Sequence, residues 1–239
     1  MKTMSKTIQV SASILCADFT KLGDEIRRCE DAGVDMLHVD VMDGHFVPNL
    51  SIGLPIVEAI RPITKLPIET HLMIDNPSAY VGAFAKAGAD IISIHVECYG
   101  SPAVKRASGD FSPWTVSKIN AAAMKEDLRK IKGAGKRAVA VINPATPLCI
   151  DDILSDIDGV LIMSVNPGYA RQKFIPDVLP KIRQLRAKFP KDIAIDGGIN
   201  AETAAEAVKA GVNVLATASY FFGSSNPKEL VKQLKSLKA

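Results

Sequence analysis

The sequence has few of the features that mark exported, membrane-bound or disulfide-stabilised proteins. Its four cysteines form no CxxC pair and show no metal-ligand spacing, so we expect free thiols in a reducing cytoplasm. No apolar run approaches the roughly 20 residues that a membrane span needs. Residues 1–9 lack the apolar core of a signal peptide. These absences predict a cytoplasmic protein with no membrane partner.

Charge of one sign is not concentrated in any part of the chain. The net charge is +3, and the 29 lysines and arginines are spread along the sequence. A nucleic-acid-binding face usually shows a clustered basic stripe, so we expect no nucleic-acid partner. Hydrophobic residues make up 47% of the 239 residues and charged residues 23%, which is typical of a globular chain with a sizeable core.

A short β-branched run, a turn and an amphipathic helical stretch alternate along most of the chain. The strand candidates are Ile8–Leu15, Met36–Val41, Ile68–Met73, Ile91–Val96, Ala138–Asn143, Val160–Val165, Ile193–Asp196 and Val212–Ala216. The helical candidates include Lys21–Ala32, Ser78–Ala87, Ala122–Lys132, Pro176–Lys188 and Ala201–Ala210. Eight such units predict parallel strands with helical crossovers.

The number of units favours an α/β fold, a closed (β/α)8 TIM barrel, in a single domain over residues 1–239. A doubly wound open sheet is the alternative, but no GxGxxG motif follows the first strand.

One gap between strand candidates is much longer than the others and contains Tyr99–Asn120. This segment is rich in Ser, Pro and Gly and holds the only tryptophan, Trp114. We expect an inserted βα loop there, and three roles stay open for it: a lid, an oligomer contact or a variable surface insertion.

Polar residues at the ends of three strand candidates predict a metal site. Polar and apolar residues alternate from His38 to Met42, so His38, Asp40 and Met42 point to one face, into the barrel mouth. His71 and Asp196 end the third and seventh strands. Each residue alone is more simply a hydrogen-bonded strand-end residue, but the convergence of two imidazoles and two carboxylates favours a divalent ion. Zinc, iron, manganese and cobalt all suit this donor set.

The positions of Asp40 and Asp196 indicate acid–base chemistry on two faces of one carbon. Strands two and seven are three steps apart in a ring of eight, so the two carboxylates approach the centre from nearly opposite sides. A planar intermediate between them can lose a proton to one and regain it from the other, which inverts a carbon next to a carbonyl. A metal ion would stabilise the enediolate charge.

Three methionines lie at strand ends: Met42, Met73 and Met163. Each alone suggests core packing, but together they favour an apolar wall that excludes water.

Six motifs resemble, in order, those of the ribulose-phosphate 3-epimerase family. They are Ser11–Phe19 (SASILCADF), His38–Leu50 (HVDVMDGHFVPNL), His71–Met73 (HLM), Asn143–Pro147 (NPATP), Met163–Phe174 (MSVNPGYARQKF) and Asp196–Asn200 (DGGIN). The resemblance runs from about residue 8 to about residue 223, interrupted by the Tyr99–Asn120 segment. It implies a metal-dependent barrel enzyme that interconverts D-ribulose 5-phosphate and D-xylulose 5-phosphate by epimerisation at C3. It also implies a homo-oligomer.

The resemblance also implies roles for individual residues. The metal ligands are matched by His38, Asp40, His71 and Asp196, and the paired acid and base by the two aspartates. The substrate-binding positions are matched by Ser13, His71, Met42, Met73, Met163, Gly168, Arg171, Gly197, Gly198, Ala218 and Ser219.

The sequence departs from the family pattern in the loops expected to bind phosphate through backbone N–H groups. The family usually has NPGFGGQ where this chain has NPGYARQ, so Ala170 and Arg171 replace two glycines that permit left-handed backbone angles. Ala218 replaces the glycine of a Gly-Ser pair, and Ala12 replaces the proline of Ser-Pro-Ser. Two interpretations of Arg171 stay open: its guanidinium contacts phosphate, or it faces solvent.

Three other functions remain to be weighed. The loop changes leave room for the same chemistry on another ketose phosphate, such as a hexulose 6-phosphate. A decarboxylase or synthase on a related barrel would show a DxKxxD array, which this sequence lacks. A non-catalytic sugar-phosphate-binding barrel would have lost a ligand or an aspartate, whereas all four residues are present.

Overall fold

Eight parallel strands close into a barrel in sequence order, with the last strand hydrogen-bonded to the first. The computed structural model describes residues 6–101 and 114–238. The strands are β1 (Gln9–Ser13), β2 (Met36–Met42), β3 (Ile68–Met73), β4 (Ile91–His95), β5 (Arg137–Ile142), β6 (Gly159–Met163), β7 (Asp192–Asp196) and β8 (Val214–Thr217). The predicted (β/α)8 barrel is confirmed, and the open sheet is excluded.

Helices connect the strands around the outside of the barrel. In the described residues they are α1 (Leu22–Ala32), α2 (Leu54–Ile60), α3 (Val81–Ala87), α4 (Ala121–Gly133), α5 (Leu179–Lys188), α6 (Ala201–Ala210), α7 (Ser219–Phe222) and α8 (Pro227–Lys235). Helices α1 and α6 end at Gly33 and Gly211, whose φ angles of 79° and 116° are the left-handed conformation that glycine adopts without steric strain. No helix among the described residues is both long and apolar enough to cross a membrane.

The period-two alternation of β2 divides its side chains between two layers. Leu37, Val39 and Val41 face outward and pack in the large apolar core between the strands and the helices. Met36 faces inward and belongs to a smaller cluster of apolar side chains inside the barrel. His38 and Asp40 are also buried, and they follow Met36 on the inward face nearer the carboxyl end of the strand. The interior side chains of β2 therefore change from apolar at Met36 to polar at His38 and Asp40.

The strand register brings the expected site residues level with one another. On β2 and β3, Asp40 pairs with His71 and Met42 pairs with Met73. The pairing of β6 and β7 places Met163 beside Asp196. The side chains of four strands are thereby presented at one end of the barrel.

The connection between β4 and α4 holds the segment expected to be an insertion. Its residues 102–113 lie outside the described part of the chain. At its base, Gly100 and Ile119 form an antiparallel bridge. The backbone N–H of Asn120 also donates to the carbonyl of Tyr99 at 2.7 Å. Trp114, in the returning arm, is only 8% exposed.

Candidate active site

Four side chains from three strands meet at the carboxyl end of the barrel. One ligand atom from each of His38, Asp40, His71 and Asp196 lies within 4.8 Å of the others. Oδ1 of Asp40 lies 3.0 Å from Nδ1 of His71 and 3.2 Å from Nε2 of His38. Oδ2 of Asp196 lies 3.9 Å from Nε2 of His38 and 4.0 Å from Nδ1 of His71. Atoms that share one ion at about 2.1 Å are themselves roughly 3 to 4 Å apart, so this set fits a divalent metal ion.

The two carboxyl groups of this cluster have pKa values that lie far apart. Burial raises the pKa of Asp196 to about 7, and the negative charge of Asp40 adds to this effect. Burial also opposes ionisation of Asp40, but the charge and hydrogen bond of His38 outweigh it and hold the pKa of Asp40 well below its usual range. A pair of carboxyl groups with separated pKa values is what an acid and a base acting together require.

The two imidazoles of the cluster are also unequal. Burial, together with the nearby His95, lowers the pKa of His71 to about 4. Burial opposes protonation of His38 as well, but the carboxylates of Asp40 and Glu69 outweigh it and raise the pKa of His38 well above its ordinary value. Without a metal ion, therefore, the positive charge of the cluster resides on His38.

Buried polar residues behind the cluster contact its two histidines. Nδ1 of His38 lies 2.9 Å from Oε2 of Glu69, and the hydroxyl of Ser93 donates to Oε1 of that carboxylate at 2.5 Å. Nε2 of His71 lies 2.9 Å from Nε2 of His95. None of these residues was predicted from the sequence.

A signal for the missed residues was present in the sequence. Glu69 stands two positions before His71, and Ser93, His95 and Glu97 follow one another with the same period of two. That alternation was the pattern that singled out the residues of β2.

Ser13 contacts the cluster from β1. Its hydroxyl donates a 2.6 Å hydrogen bond to Oδ2 of Asp40. Both side chains are buried, at 1% and 4% exposure. The predicted substrate-contacting serine therefore also holds one of the two aspartates in place.

Apolar side chains form one wall of the site. Met42 and Met73 belong to a cluster that also contains Phe46, Val47 and Trp114. The Phe46 ring lies 5.1 Å from the Trp114 ring, centroid to centroid. Part of the expected insertion thus packs beside the methionines. Met163 lies on the interior face of the barrel with the apolar residues beneath the site.

A cavity of about 360 Å³ opens above the four clustered side chains. Its lining includes both aspartates, all three methionines, Ser13 and the predicted phosphate-binding positions Gly168, Arg171, Gly197, Gly198, Ala218 and Ser219. The structure therefore brings the expected substrate-binding residues other than the buried His71 to one cavity, and His71 lies in the cluster below it.

The loops after β6 and β7 have backbone angles that favour glycine. Gly168, Gly197 and Gly198 have φ angles of 129°, 116° and 64°. A Cβ atom on Gly198 would lie 2.7 Å from the backbone nitrogen of Phe174, so a larger residue does not fit. Arg171 has a φ angle of 62° and is the only non-glycine residue with a positive φ in the described ranges. Of the two positions where the family has glycine, position 171 is therefore left-handed, as the sequence suggested, whereas position 170 is not.

The ribulose-phosphate 3 epimerase family model matches residues 9–109 and 114–222 of this chain. The chain belongs to this family. A relative from Bacillus subtilis (strain 168), named ribulose-phosphate 3-epimerase, is 44% identical over 238 residues, which covers 97% of this chain and 100% of that protein. A relative of the same name from Synechocystis is 45% identical over 241 residues, covering 98% and 96%.

Membership of the ribulose-phosphate 3 epimerase family confirms the resemblance inferred from the six motifs. The break in the family match, at residues 110–113, falls within the expected insertion. Among solved structures, 3-hexulose-6-phosphate synthase from Salmonella typhimurium superposes with a TM-score of 0.66 at 16% identity, covering 95% of this chain and 97% of that chain. Similarity at that level of identity shows the shared barrel fold alone.

Proposed function

We propose that this chain is a metal-dependent ribulose-phosphate 3-epimerase that interconverts D-ribulose 5-phosphate and D-xylulose 5-phosphate. The observation that carries this proposal is the pair of carboxylates from β2 and β7. Asp40 and Asp196 reach one centre from strands that are three steps apart in the closed barrel. Relatives at 44% and 45% identity over nearly the whole chain carry the name of this activity.

The two sugar phosphates differ only in configuration at C3, which is adjacent to the C2 carbonyl. Epimerisation therefore requires that a proton leave C3 on one face and that another arrive on the opposite face. Asp40, whose pKa is low, is ionised at neutral pH and accepts the proton. Asp196 reaches the site from the opposite side and delivers the proton that arrives on the other face. The roles exchange in the reverse direction.

A metal ion held by the four clustered residues would stabilise the negative charge that develops during epimerisation. His38, Asp40, His71 and Asp196 would hold one divalent ion, for which zinc, iron, manganese and cobalt are the candidates. Met42, Met73 and Met163 line the same cavity and exclude water from the reacting carbon.

The phosphate group of the substrate is assigned to the loops after β6, β7 and β8. Gly168, Gly197, Gly198 and Ser219 line the cavity there and present backbone close to its surface. We assign the Arg171 guanidinium to the phosphate as well, because it lines the same cavity and suits an anion. The alternative, in which Arg171 faces solvent, leaves binding to the glycine-containing loops.

Three broader features belong to the same proposal. We place the whole chain, residues 1–239, in one barrel domain with an inserted loop at about 99–120. We also propose a homo-oligomer that works in the cytoplasm, where the four cysteines, all free in the structure, would stay reduced.

Another ketose phosphate is a less favoured substrate. The 3-hexulose-6-phosphate synthase shares the barrel at only 16% identity, which gives no support for a hexulose phosphate here. Relatives from Bacillus subtilis, Synechocystis and Mycobacterium bovis, at 44%, 45% and 40% identity, carry the name ribulose-phosphate 3-epimerase.

A substrate panel tests the proposed function. The metal-reconstituted protein is assayed with D-ribulose 5-phosphate, D-xylulose 5-phosphate and a hexulose 6-phosphate. We expect epimerisation of the two pentulose phosphates, with a lower kcat/KM for the hexulose phosphate. Asp40→Asn and Asp196→Asn should each lower kcat by a factor on the order of 10² to 10⁴ while retaining native circular dichroism. Failure to epimerise any ketose phosphate would overturn the proposal.

A further inference from the structure

A chain of buried hydrogen bonds runs from His71 away from the proposed metal site. Nε2 of His71 lies 2.9 Å from Nε2 of His95, and Nδ1 of His95 lies 3.0 Å from Oε2 of Glu97. The other oxygen of Glu97, Oε1, accepts the backbone N–H of Asn143 at 2.9 Å. All four residues are at most 1% exposed, so water does not compete for these groups.

The chemistry of these partners fixes where the protons lie. A carboxylate only accepts hydrogen bonds, and Glu97 accepts at both oxygens, so His95 carries its proton on Nδ1. When each of the two rings carries a single proton, Nε2 of His95 is an acceptor, and Nε2–H of His71 is the donor. The remaining ring nitrogen of His71, Nδ1, is left without a proton.

That unprotonated nitrogen is the atom of His71 that faces the proposed metal site. Nδ1 of His71 lies 3.3 Å from Nε2 of His38, which donates a hydrogen bond when His38 is protonated. It also lies 3.0 Å from Oδ1 of Asp40 and 4.0 Å from Oδ2 of Asp196. A metal ion requires an imidazole nitrogen with a free lone pair. The chain of hydrogen bonds therefore presents His71 in the one neutral tautomer that can bind an ion at this centre.

We propose that His95 and Glu97 are positioning residues that hold His71 in its metal-binding tautomer. The inference rests on the proposed metal site, but it concerns residues that touch neither the ion nor the sugar. The His95 ring is fixed from a further side by Phe46, whose centroid lies 4.5 Å away. The His71 and His95 rings are inclined by only 24°, which suits a hydrogen bond between ring edges.

His38 is oriented in a similar way, except that its Nδ1, rather than its Nε2, is turned away from the proposed metal site. Oε2 of Glu69 lies 2.9 Å from Nδ1 of His38 and accepts a hydrogen bond from its N–H, and Ser93 donates to the other oxygen of this carboxylate. His38 therefore faces the centre with Nε2, which lies 3.2 Å from Oδ1 of Asp40. Each histidine thus has a buried carboxylate that sets its tautomer, directly for His38 and through His95 for His71.

Replacing Glu97 with glutamine tests the proposal, because the structure dictates how the amide must point. The N–H of Asn143 donates to Oε1, so the amide oxygen of Glu97→Gln stays there and the NH₂ group faces Nδ1 of His95. His95 then carries its proton on Nε2, and His71 must move its own proton to Nδ1. We expect Zn²⁺ to bind about 10- to 100-fold more weakly in a chelator competition.

The tautomers themselves are read from ¹⁵N NMR shifts of the metal-free protein. In the wild type, we expect Nε2 of His71 to be protonated and Nδ1 to be unprotonated, and Glu97→Gln should reverse this pattern. Asp127→Asn is the matched control, because Asp127 is also a buried carboxylate, at 1% exposure, but does not contact the histidines. It accepts hydrogen bonds from Ser78, Tyr99 and Lys130. Asp127→Asn should leave both the Zn²⁺ affinity and the His71 tautomer unchanged.

Separate outcomes would overturn the two proposals. Unchanged Zn²⁺ affinity in Glu97→Gln, or a proton on Nδ1 of His71 in the wild type, would overturn the positioning role. If Glu97→Gln does not fold, the wild-type spectrum still decides the question. Absence of Zn²⁺ binding by the wild type would instead overturn the proposed metal site.

Discussion

The hydroxyl of Ser13 donates a 2.6 Å hydrogen bond to Oδ2 of Asp40. The other oxygen of Asp40, Oδ1, lies within 3.2 Å of nitrogen atoms of His38 and His71. The two oxygens of this carboxylate therefore have different surroundings, one held by a neutral donor and the other facing the histidines. This arrangement fixes the plane of the carboxylate before a substrate arrives, and it gives Ser13 a positioning role.

Ser13→Ala should lower kcat by about 10- to 100-fold, because a buried hydrogen bond to a charged group contributes about 1.5 to 3 kcal/mol. Steady-state kinetics on D-ribulose 5-phosphate measure this effect. Ser11→Ala is the matched control: Ser11 lies on the same strand, is also buried, and its hydroxyl has no hydrogen-bond partner among the described residues. An increase in KM alone would favour a purely substrate-contacting serine.

Arg171 combines a strained backbone with a charge at the cavity. Arg171→Gly should raise the free energy of unfolding by about 1 to 2 kcal/mol, because glycine adopts the φ of 62° without steric strain. If the guanidinium binds phosphate, the same variant should raise KM about tenfold with little change in kcat. Denaturant titration and steady-state kinetics measure the two effects separately.

Two further variants of Arg171 separate strain from charge. Arg171→Ala removes the charge but keeps the strain, so its KM should match that of Arg171→Gly while its stability should not increase. Arg171→Lys keeps the charge and should recover part of the KM. If all three variants keep the KM of the wild type, Arg171 faces solvent and does not bind phosphate.

Trp114 gives the protein an internal reporter of its site. It is the only tryptophan, it is 8% exposed, and it packs with Met42 and Met73, which line the cavity. Its emission should lie at shorter wavelength in the native than in the unfolded protein, and adding D-xylulose 5-phosphate should change its intensity. Trp114→Phe supplies the fluorescence background. Emission that does not respond to saturating sugar phosphate would argue against a place for Trp114 beside the bound substrate.

Metal binding should depend on pH through Asp196. Its pKa of about 7 means that the carboxyl is protonated below pH 7, so an incoming ion must displace that proton. Affinity for Zn²⁺ should therefore fall as the pH falls through 7, by about tenfold per pH unit for each displaced proton. His71, with a pKa of about 4, contributes no proton in this range.

Calorimetry in buffers of different ionisation enthalpy counts the released protons. The number released per Zn²⁺ should be larger at pH 6 than at pH 8 by about one, and Asp196→Asn should abolish the difference. His38, whose pKa is raised by neighbouring carboxylates, is present in both proteins, so the difference between them isolates the contribution of Asp196. Equal proton release at pH 6 and pH 8 in the wild type would contradict the assignment.

The barrel and the four clustered residues could be predicted because both follow from periodicity within single segments. The alternation from His38 to Met42 determines which side chains share a face, and it does so without knowledge of any neighbour.

The residue at which a strand ends could be predicted less well than the strand itself. The first strand was expected to reach Leu15, but it ends at Ser13, and a 3₁₀ turn follows at Ile14–Cys16. Packing of the loop over the barrel mouth, rather than β-propensity, decides where such a strand stops.

The residues behind the ligands could not be assigned from single segments. The partner of His38 is Glu69 on the next strand, and the partner of His71 is His95 on the strand after its own. These contacts depend on the register between strands, which a sequence pattern does not specify. The hydrogen bond between Ser13 and Asp40 was missed for the same reason.

Isotope exchange at C3 tests the paired carboxylates most directly. The metal-reconstituted protein is given D-ribulose 5-phosphate in D₂O, and both sugar phosphates are analysed by NMR before a tenth of the substrate has reacted. Because one aspartate removes the proton and the other delivers a different one, we predict one deuterium at C3 of each D-xylulose 5-phosphate formed and almost none in the remaining substrate. Product that retains the original hydrogen at C3 would contradict the two-carboxylate mechanism.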